Sequence, residues 1–431
     1  MSINNKLNIL IFPSGSGVSK EIFDALKYIR WINIYGTDCD ENNFSYYQFK
    51  NIILEAPFIK DQEKTLIFLK NLIQKYDIDC IYPTMDNIIL FLQQYSKELG
   101  VKIISSEIDT CDICCSKRKT YELFQDIIST PKIYSDIDIT KFPAFIKPEC
   151  GYGSRDSYKI NNMEEYLFYS NSVKNTIICE YLPGEEYTVD CFTSKKNGLL
   201  FCEARTRSKI LNGMSILTKT IDIPEVKIIA EKISKKLNFI GAWFFQIKKN
   251  KQDQYVLLEI APRIPGAMCL HRNIGINFPL LSICEHFDYP IDNLLINKYE
   301  ISCYKYFENR YKLTLDYDVV YIDLDDTIII KNKVNTKIIQ YIYYLKNIGK
   351  KIILITKNKD PVACLEKYYI NSELFDIIYC CKKEDNKIDY INKNEKCIFI
   401  DDSYVERKKV YDNNINVFNC DMIECLFDEK L

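Results

Sequence analysis

Short runs of consecutive apolar residues, each closed by a turn or by polar residues, recur along the chain and alternate with stretches of helical spacing. The first is Asn8-Ile-Leu-Ile-Phe12, followed by the turn Pro13-Ser-Gly-Ser-Gly17 and a segment from Lys20 to Tyr28 with helical periodicity. Ile32-Asn-Ile-Tyr35 leads into Gly36-Thr-Asp38, Cys80-Ile-Tyr-Pro83 into Thr84-Met-Asp86, and a further strand is expected near Val101 to Ile104. Unbroken apolar runs suit strands buried on both faces, and strands alternating with helices make a doubly wound parallel sheet. The pattern therefore predicts an α/β domain over residues 1–113. Gly15-Ser-Gly17 lacks the third glycine of a dinucleotide fingerprint, because Lys20 stands in its place. A tight turn feeding a helix is expected there rather than a pyrophosphate cradle.

Phe142-Pro-Ala-Phe-Ile-Lys147-Pro148 reads as a strand with a lysine on its inner side. It runs into a small-residue loop, Glu149-Cys-Gly-Tyr-Gly-Ser-Arg-Asp156. A triphosphate needs that combination, a point charge plus backbone N–H groups able to approach closely. Thr176-Ile-Ile-Cys-Glu180-Tyr-Leu-Pro-Gly184 and Glu185-Glu-Tyr-Thr-Val-Asp190 follow. Gly241-Ala-Trp-Phe-Phe-Gln246 and Tyr255-Val-Leu-Leu-Glu259-Ile-Ala-Pro-Arg263 then read as two strands ending in polar side chains of metal-ligand type.

The last hundred residues hold three more buried-strand runs. Asp318-Val-Val-Tyr-Ile322 delivers Asp323 and Asp325 onto the following loop, with Thr327 just beyond. Lys351-Ile-Ile-Leu-Ile-Thr356 ends in a hydroxyl, and Cys397-Ile-Phe-Ile-Asp401-Asp402 ends in paired acids. Two acids that close cannot both ionise without a counter-charge, so the first loop calls for a hard cation such as Mg²⁺. Each group sits where a strand ends, and ligands of open α/β sheets gather at the carboxyl ends of strands.

Composition narrows the class. With 431 residues, 47% hydrophobic and 27% charged, the chain is long enough for two to four folding units with ample core. A net charge of −2 gives no basic excess for nucleic acid. No apolar run reaches spanning length, so no membrane partner is expected. The start, Met1-Ser-Ile-Asn-Asn-Lys6, lacks the features of a secretory leader, and a cytoplasmic protein is expected. The 18 cysteines are scattered, and in a reducing compartment most would serve as small buried hydrophobes. Cys111-x-x-Cys114-Cys115 lacks the second pair a zinc site would want. Only two histidines, His271 and His286, argue against a Ser–His or Cys–His nucleophile.

Two family resemblances emerge from these motifs. Residues 6 to about 312 resemble the ATP-grasp superfamily, specifically the carboxylate–amine ligases related to carbamoyl-phosphate synthetase and biotin carboxylase. The resemblance rests on the Lys147 strand, the 149–156 loop, Glu180 to Gly184, Gln246 and Glu259-x-x-x-Arg263, with Gly36-Thr-Asp38 and Pro83-Thr-Met-Asp86 in the preceding domain. It implies ATP and Mg²⁺ as cofactors. Lys117 and Lys147 would hold phosphates under a closing loop that contains Gly151, Gly153 and Ser154. Glu180 and Leu182 would meet adenine through the hinge backbone, Glu186 would accept from ribose hydroxyls, and Gln246 and Glu259 would bind Mg²⁺. Arg263, with Arg205 or Arg207, would stabilise the transferring phosphate or grip a carboxylate. One departure stands out: Ala261 occupies the position two beyond the metal-binding Glu where the family usually has Asn.

The remainder resembles a haloacid dehalogenase-like phosphohydrolase without a cap domain. That likeness implies Asp323 as nucleophile, Asp325 as acid–base, and Thr356 and Lys387 as phosphate ligands; Lys387 opens an amphipathic helix-like stretch and has Lys382 and Lys383 as rivals. It places Mg²⁺ among Asp323, Asp325, Asp401 and Asp402. The expected architecture is a pre-ATP-grasp doubly wound sheet over 1–113, an ATP-grasp α+β domain over 114–312, and a Rossmann-like haloacid dehalogenase-type domain over 313–431. The expected function is joining a carboxylate to an amine through an acyl phosphate, coupled to phosphatase action on a substrate or product. By fold-level analogy that substrate would be a phosphorylated amino alcohol or a sugar acid for surface polysaccharide. A homodimer fits the parent family. The alternative is a phosphatase whose ATP-grasp domain has become a nucleotide-binding regulatory module.

Overall fold

Five parallel strands open the chain: β1 (Leu7–Phe12), β2 (Ile32–Thr37), β3 (Asn51–Ile53), β4 (Cys80–Pro83) and β5 (Lys102–Ile103), in the order β3-β2-β1-β4-β5. Ile9 and Ile11 of β1 enter one core and Leu10 and Phe12 another, which is why the run does not alternate in polarity. The strand order reverses between β1 and β4. There the following loops are tied together by Thr84, whose N–H donates to Phe12 O (3.1 Å) and whose hydroxyl donates to Pro13 O (2.9 Å). The Pro13–Gly17 turn starts the helix Gly17–Leu26, with Ser16 accepting from the Ser19 N–H as N-cap.

The computed structural model describes residues 6–427 apart from 41, 136–140, 152, 154, 292–293, 307, 309–310 and 312. The chain divides into two compact units, Met1–Glu308 and Asn309–Lys430. No helix among the described residues is long and apolar enough to cross a membrane.

Two antiparallel sheets complete the first unit. The smaller has the order β6-β9-β7-β8, with β6 Ile133–Tyr134, β7 Ala144–Pro148, β8 Tyr158–Ile160 and β9 Thr176–Glu180. The larger contains β10 (Glu186–Ser194), β11 (Gly198–Thr206), β12 (Lys209–Leu211), β13 (Met214–Ile221), β14 (Gly241–Lys249) and β15 (Tyr255–Ala261). Its order is β12-β13-β11-β10-β14-β15, and β16 (Ser302–Tyr304) pairs with β13. Tyr187, Val189 and Cys191 of β10 pack with Trp243, Phe245, Ile247 and Leu257 on one face. Alternation then leaves Thr188 and Asp190 on the other face.

The second unit is built on β17 (Val319–Ile322), the short hairpin β18 (Ile329–Ile330) and β19 (Lys333–Val334), β20 (Lys351–Thr356), β21 (Ile377–Cys380), β22 (Cys397–Ile400) and β23 (Asn416–Phe418). Its parallel sheet runs β21-β20-β17-β22-β23. Both faces are covered, Val320 and Ile322 packing with Tyr341 and Leu345 of the helix Thr336–Asn347, and Tyr321 with Phe399 and Val410. Ile322 pairs with Leu354 and with Ile400, so Asp323 and Asp401 leave neighbouring strands at the same level. The helical stretch expected from Lys387 is a single 3-10 turn, Lys387–Tyr390.

Candidate functional site

In the first unit a cleft open to solvent lies between the small sheet and the large one. Lys117, Lys147, Gly151, Gly153, Glu180, Leu182, Glu186, Arg207, Gln246 and Glu259 all line it. Of the residues expected at this site, Ser154 lies outside the described residues.

Local structure explains how the walls are held. Lys147 is buried on β7 and donates from Nζ to the Tyr121 hydroxyl (2.7 Å), which in turn donates to the Leu258 carbonyl (2.7 Å). Lys117 opens the helix Lys117–Phe124, and its Nζ donates to Gly151 O (3.1 Å), pinning the start of the small-residue loop. Burial pushes the Lys117 ammonium below its usual range, against the pull of Glu259. On the large sheet three rows of side chains cross one face. Glu203, Asp190, Phe244 and Ala261 form one; Arg205, Thr188, Gln246 and Glu259 form the next, every neighbour in direct register. Beside them Glu186 pairs with Lys248 across β10 and β14, and its carboxylate holds Arg207 Nε at 2.7 Å.

Two of the expected arginines lie off the lining. Arg263 is bidentate on Asp86 (2.8 and 2.9 Å), stacked over the Phe244 ring, so it is engaged at the edge of the five-stranded sheet. Arg205 is buried on Asp190. Ala261 is buried opposite Phe244 and supplies no ligand atom. Sequence reasoning missed Tyr121, Arg155, Lys248 and Gly213 at this cleft. Lys248 was recoverable, since it lies two residues past Gln246 on the same strand and so on the same face.

In the second unit Lys387 Nζ sits 2.6 Å from Asp323 Oδ1 and 2.6 Å from Asp401 Oδ2, all three side chains buried. Lys382 and Lys383 are exposed. Asp323, Asp401 and Asp402 present oxygens within 4.8 Å of one another. Burial pushes the Asp323 carboxyl up to about 7, Lys387 pulling against it and Asp401 adding to it. Asp401 is also raised by burial, whereas its two acid partners raise Lys387 in spite of burial. One ammonium thus faces two buried carboxyls, and the deficit of positive charge is what an oxygen-ligated hard cation supplies. Asp325 departs from the expected metal set: it is outside the three-carboxylate group, held by Asn358 Nδ2 at 3.1 Å to both oxygens. Thr356 is buried, its hydroxyl accepting from the Asn358 N–H (3.0 Å). The Asp402 N–H donates to the Thr327 hydroxyl (3.1 Å).

Comparison with known proteins bears on the first unit. Residues 172–298 match a family model described as ATP-grasp in the biosynthetic pathway with Ter operon. The biotin carboxylase domain of Hydrogenobacter thermophilus 2-oxoglutarate carboxylase superposes with a TM-score of 0.58 at 11% identity, over 69% of this chain and 74% of its own. The first unit has the ATP-grasp fold. Other solved neighbours include the L-amino acid ligase of Bacillus licheniformis (TM-score 0.55, 16% identity, 66% of this chain and 74% of that one). N5-carboxyaminoimidazole synthetase of Staphylococcus aureus, complexed with ADP, gives 0.55 at 17% identity over 68% and 81%. Among curated sequences, D-alanine–D-alanine ligase of Fusobacterium nucleatum is 34% identical over 104 residues, 24% of this chain and 36% of its own. The Petrotoga mobilis D-alanine–D-alanine ligase is 26% identical over 160 residues, 33% of this chain and 52% of its own. The chain thus spans about a third to a half of the curated relatives it matches.

Proposed function

We propose that the first unit is an ATP-dependent carboxylate–amine ligase and the second a Mg²⁺-dependent phosphohydrolase of the haloacid dehalogenase type. The observation that carries the ligase reading is the cleft in which two lysines, a glycine-containing loop and a Gln–Glu cross-strand pair converge. Relatives named as ligases of amino acids support it.

A carboxylate is a poor electrophile at neutral pH. Its oxygen attacks the γ-phosphorus of ATP, ADP leaves, and an amine then attacks the carbonyl carbon of the acyl phosphate to expel phosphate. Lys117 and Lys147 hold phosphate oxygens, and the 149–156 loop keeps water from the acyl phosphate. The backbone of Glu180 and Leu182 receives adenine, and the Glu186 carboxylate accepts from ribose. Gln246 and Glu259 would hold Mg²⁺, which neutralises phosphate charge when bound. ADP release dependent on both an acid and an amine tests this; AMP, or no nucleotide product, refutes it.

In the second unit Asp323 attacks phosphorus as Asp325 protonates the departing oxygen, Asp325 then takes a proton from the water that hydrolyses the aspartyl phosphate and frees phosphate, and Thr356 and Lys387 bind phosphoryl oxygens. The cation would rest on Asp323, Asp401 and Asp402. Two active units on one chain would raise the effective concentration of a shared intermediate. Ala261 favours a second reading, in which nucleotide binds without turnover and regulates the phosphatase. Nucleotide binding with no ADP formed across a panel of acid–amine pairs would select it.

A further inference from the structure

Two cysteines flank the root of the 149–156 loop. Cys150 lies in the loop and is exposed, while Cys115 ends the helix Ile108–Cys115 and is half-buried. The residues beside them are bonded across the junction. Ser116 Oγ donates to Glu149 Oε1 (2.6 Å), the Lys117 N–H to Glu149 O (3.1 Å) and Lys117 Nζ to Gly151 O (3.1 Å). Arg118 Nε adds an ion pair to Glu149 Oε2 at 3.5 Å. Cys115 and Cys150 are brought together by these contacts, and a side-chain hydrogen bond joins the two thiols.

The two thiols differ in kind. Burial pushes the Cys115 thiol up to about 12, and the neighbouring Cys150 adds to the rise. Cys115 therefore stays protonated near neutrality and sheltered, whereas Cys150 is open to a dissolved oxidant. Of the 18 cysteines only Cys39, Cys150 and Cys380 are exposed. Among these three, Cys150 is the one next to residues that line the cleft, Lys117 and Gly151. An accessible thiol backed by a second thiol within reach is the arrangement of a redox-responsive pair.

We propose that Cys115 and Cys150 are a reversible oxidation site, and that a disulfide between them locks the root of the 149–156 loop and slows nucleotide exchange. The proposal rests on the nucleotide reading of the cleft and adds regulation to it. The oxidant is hydrogen peroxide. The Cys150 sulfur attacks one peroxide oxygen, the O–O bond breaks, and hydroxide leaves as water with the thiol's proton, giving a sulfenic acid. The Cys115 sulfur then attacks the sulfenic sulfur. Its proton passes to the departing hydroxide as a second water, and the S–S bond forms. Two thiols lose two electrons and one peroxide is reduced to two waters; a dithiol reverses the change by exchange. The hydrogen bonds at the root can open as the loop lifts to admit or release nucleotide. A covalent bond cannot, and it keeps the Gly151 carbonyl on the Lys117 ammonium that a phosphate oxygen would take.

The test treats the full chain with an equimolar amount of hydrogen peroxide and maps its cross-linked peptides by mass spectrometry. Binding and release of a fluorescent ADP analogue with Mg²⁺ are followed by stopped flow before oxidation, after it, and after dithiothreitol. A Cys115–Cys150 peptide is expected, with association and release both slowed at least about tenfold and restored by the dithiol. Cys115→Ser, off the cleft lining, should bind the analogue at the wild-type rate and lose the response to peroxide. Mapping separates this pair from Cys269 and Cys303, whose sulfurs lie 3.8 Å apart but also off the lining. No Cys115–Cys150 peptide, unchanged rates in the cross-linked chain, or slowing that persists in Cys115→Ser overturns the proposal and leaves the nucleotide reading standing. A reduced chain that binds no analogue removes the nucleotide reading and this regulation with it.

Discussion

At the scale of single residues, charge balance in buried pairs decides behaviour. With one lysine to two buried carboxyls, and Asp323 pushed up to about 7, the metal-free second unit retains a proton on that carboxyl below neutrality. On the proposed reading Mg²⁺ ligation needs the ionised form, so binding should release that proton at pH 6 and release almost none at pH 8.5. Calorimetry in buffers of different ionisation enthalpy should give close to one proton at the lower pH, and Asp323→Asn should abolish the difference. Asp190 moves the other way: burial pushes it up, but Arg205 and His271 outweigh that. Its depressed pKa contributes stability that is fully present above the unfolded carboxyl value near 3.8 and is lost as pH falls through the lower folded value. Asp190→Asn should lower the urea midpoint at pH 7 and flatten the further fall between pH 4 and 2. Both pairs show where the sequence was legible and where it was not. Lys387 was preferred to Lys382 and Lys383 because it opens an amphipathic helix-like stretch; that stretch is only a 3-10 turn, but the Lys387 ammonium does lie on Asp323 and Asp401. The Asp190–Arg205–His271 cluster, joining residues up to 81 apart, had no local signal, because cross-strand register is set by sheet pairing rather than by neighbours in sequence.

At the scale of elements, the turn between β12 and β13 packs against the small-residue loop at Gly153. Gly213 has φ +75°, and a Cβ there would overlap the backbone of Gly153, while its carbonyl accepts from Arg207 Nη2 at 2.9 Å. Gly213→Ala should displace the 149–156 loop and weaken nucleotide binding by about tenfold or more, roughly the 1.4 kcal/mol that a tenfold change represents. Gly198→Ala is the control, because Gly198 has a similar φ of +70° with open space around it. It carries the backbone strain alone, and equal losses in both variants would rule out the loop contact. The unbroken apolar runs of β1, β17, β20 and β22 announced a parallel sheet in each unit, since both faces of such strands are covered. The hairpins of the large sheet were less legible: β11 to β13 are partly exposed and mix polar with apolar positions. The family resemblance implied Arg263 at the phosphate or the carboxylate; in the structure Asp86, 177 residues away, holds it.

At the scale of the whole molecule, the cleft and the Asp323–Lys387–Asp401 cluster lie in units that each have their own sheet and cores. On the proposed reading, Asp323→Asn removes phosphatase turnover and spares ADP formation, while Lys147→Ala removes ADP formation and spares the phosphatase. Loss of both activities from either substitution would contradict separate sites. The most direct measurement is product analysis of the intact chain with ATP, Mg²⁺ and a panel of acid–amine pairs, beside Glu259→Gln. The account predicts ADP and amide in equal amounts for at least one pair, with turnover reduced by about a hundredfold or more in the variant. AMP with pyrophosphate, or ADP formation untouched by Glu259→Gln, would contradict it.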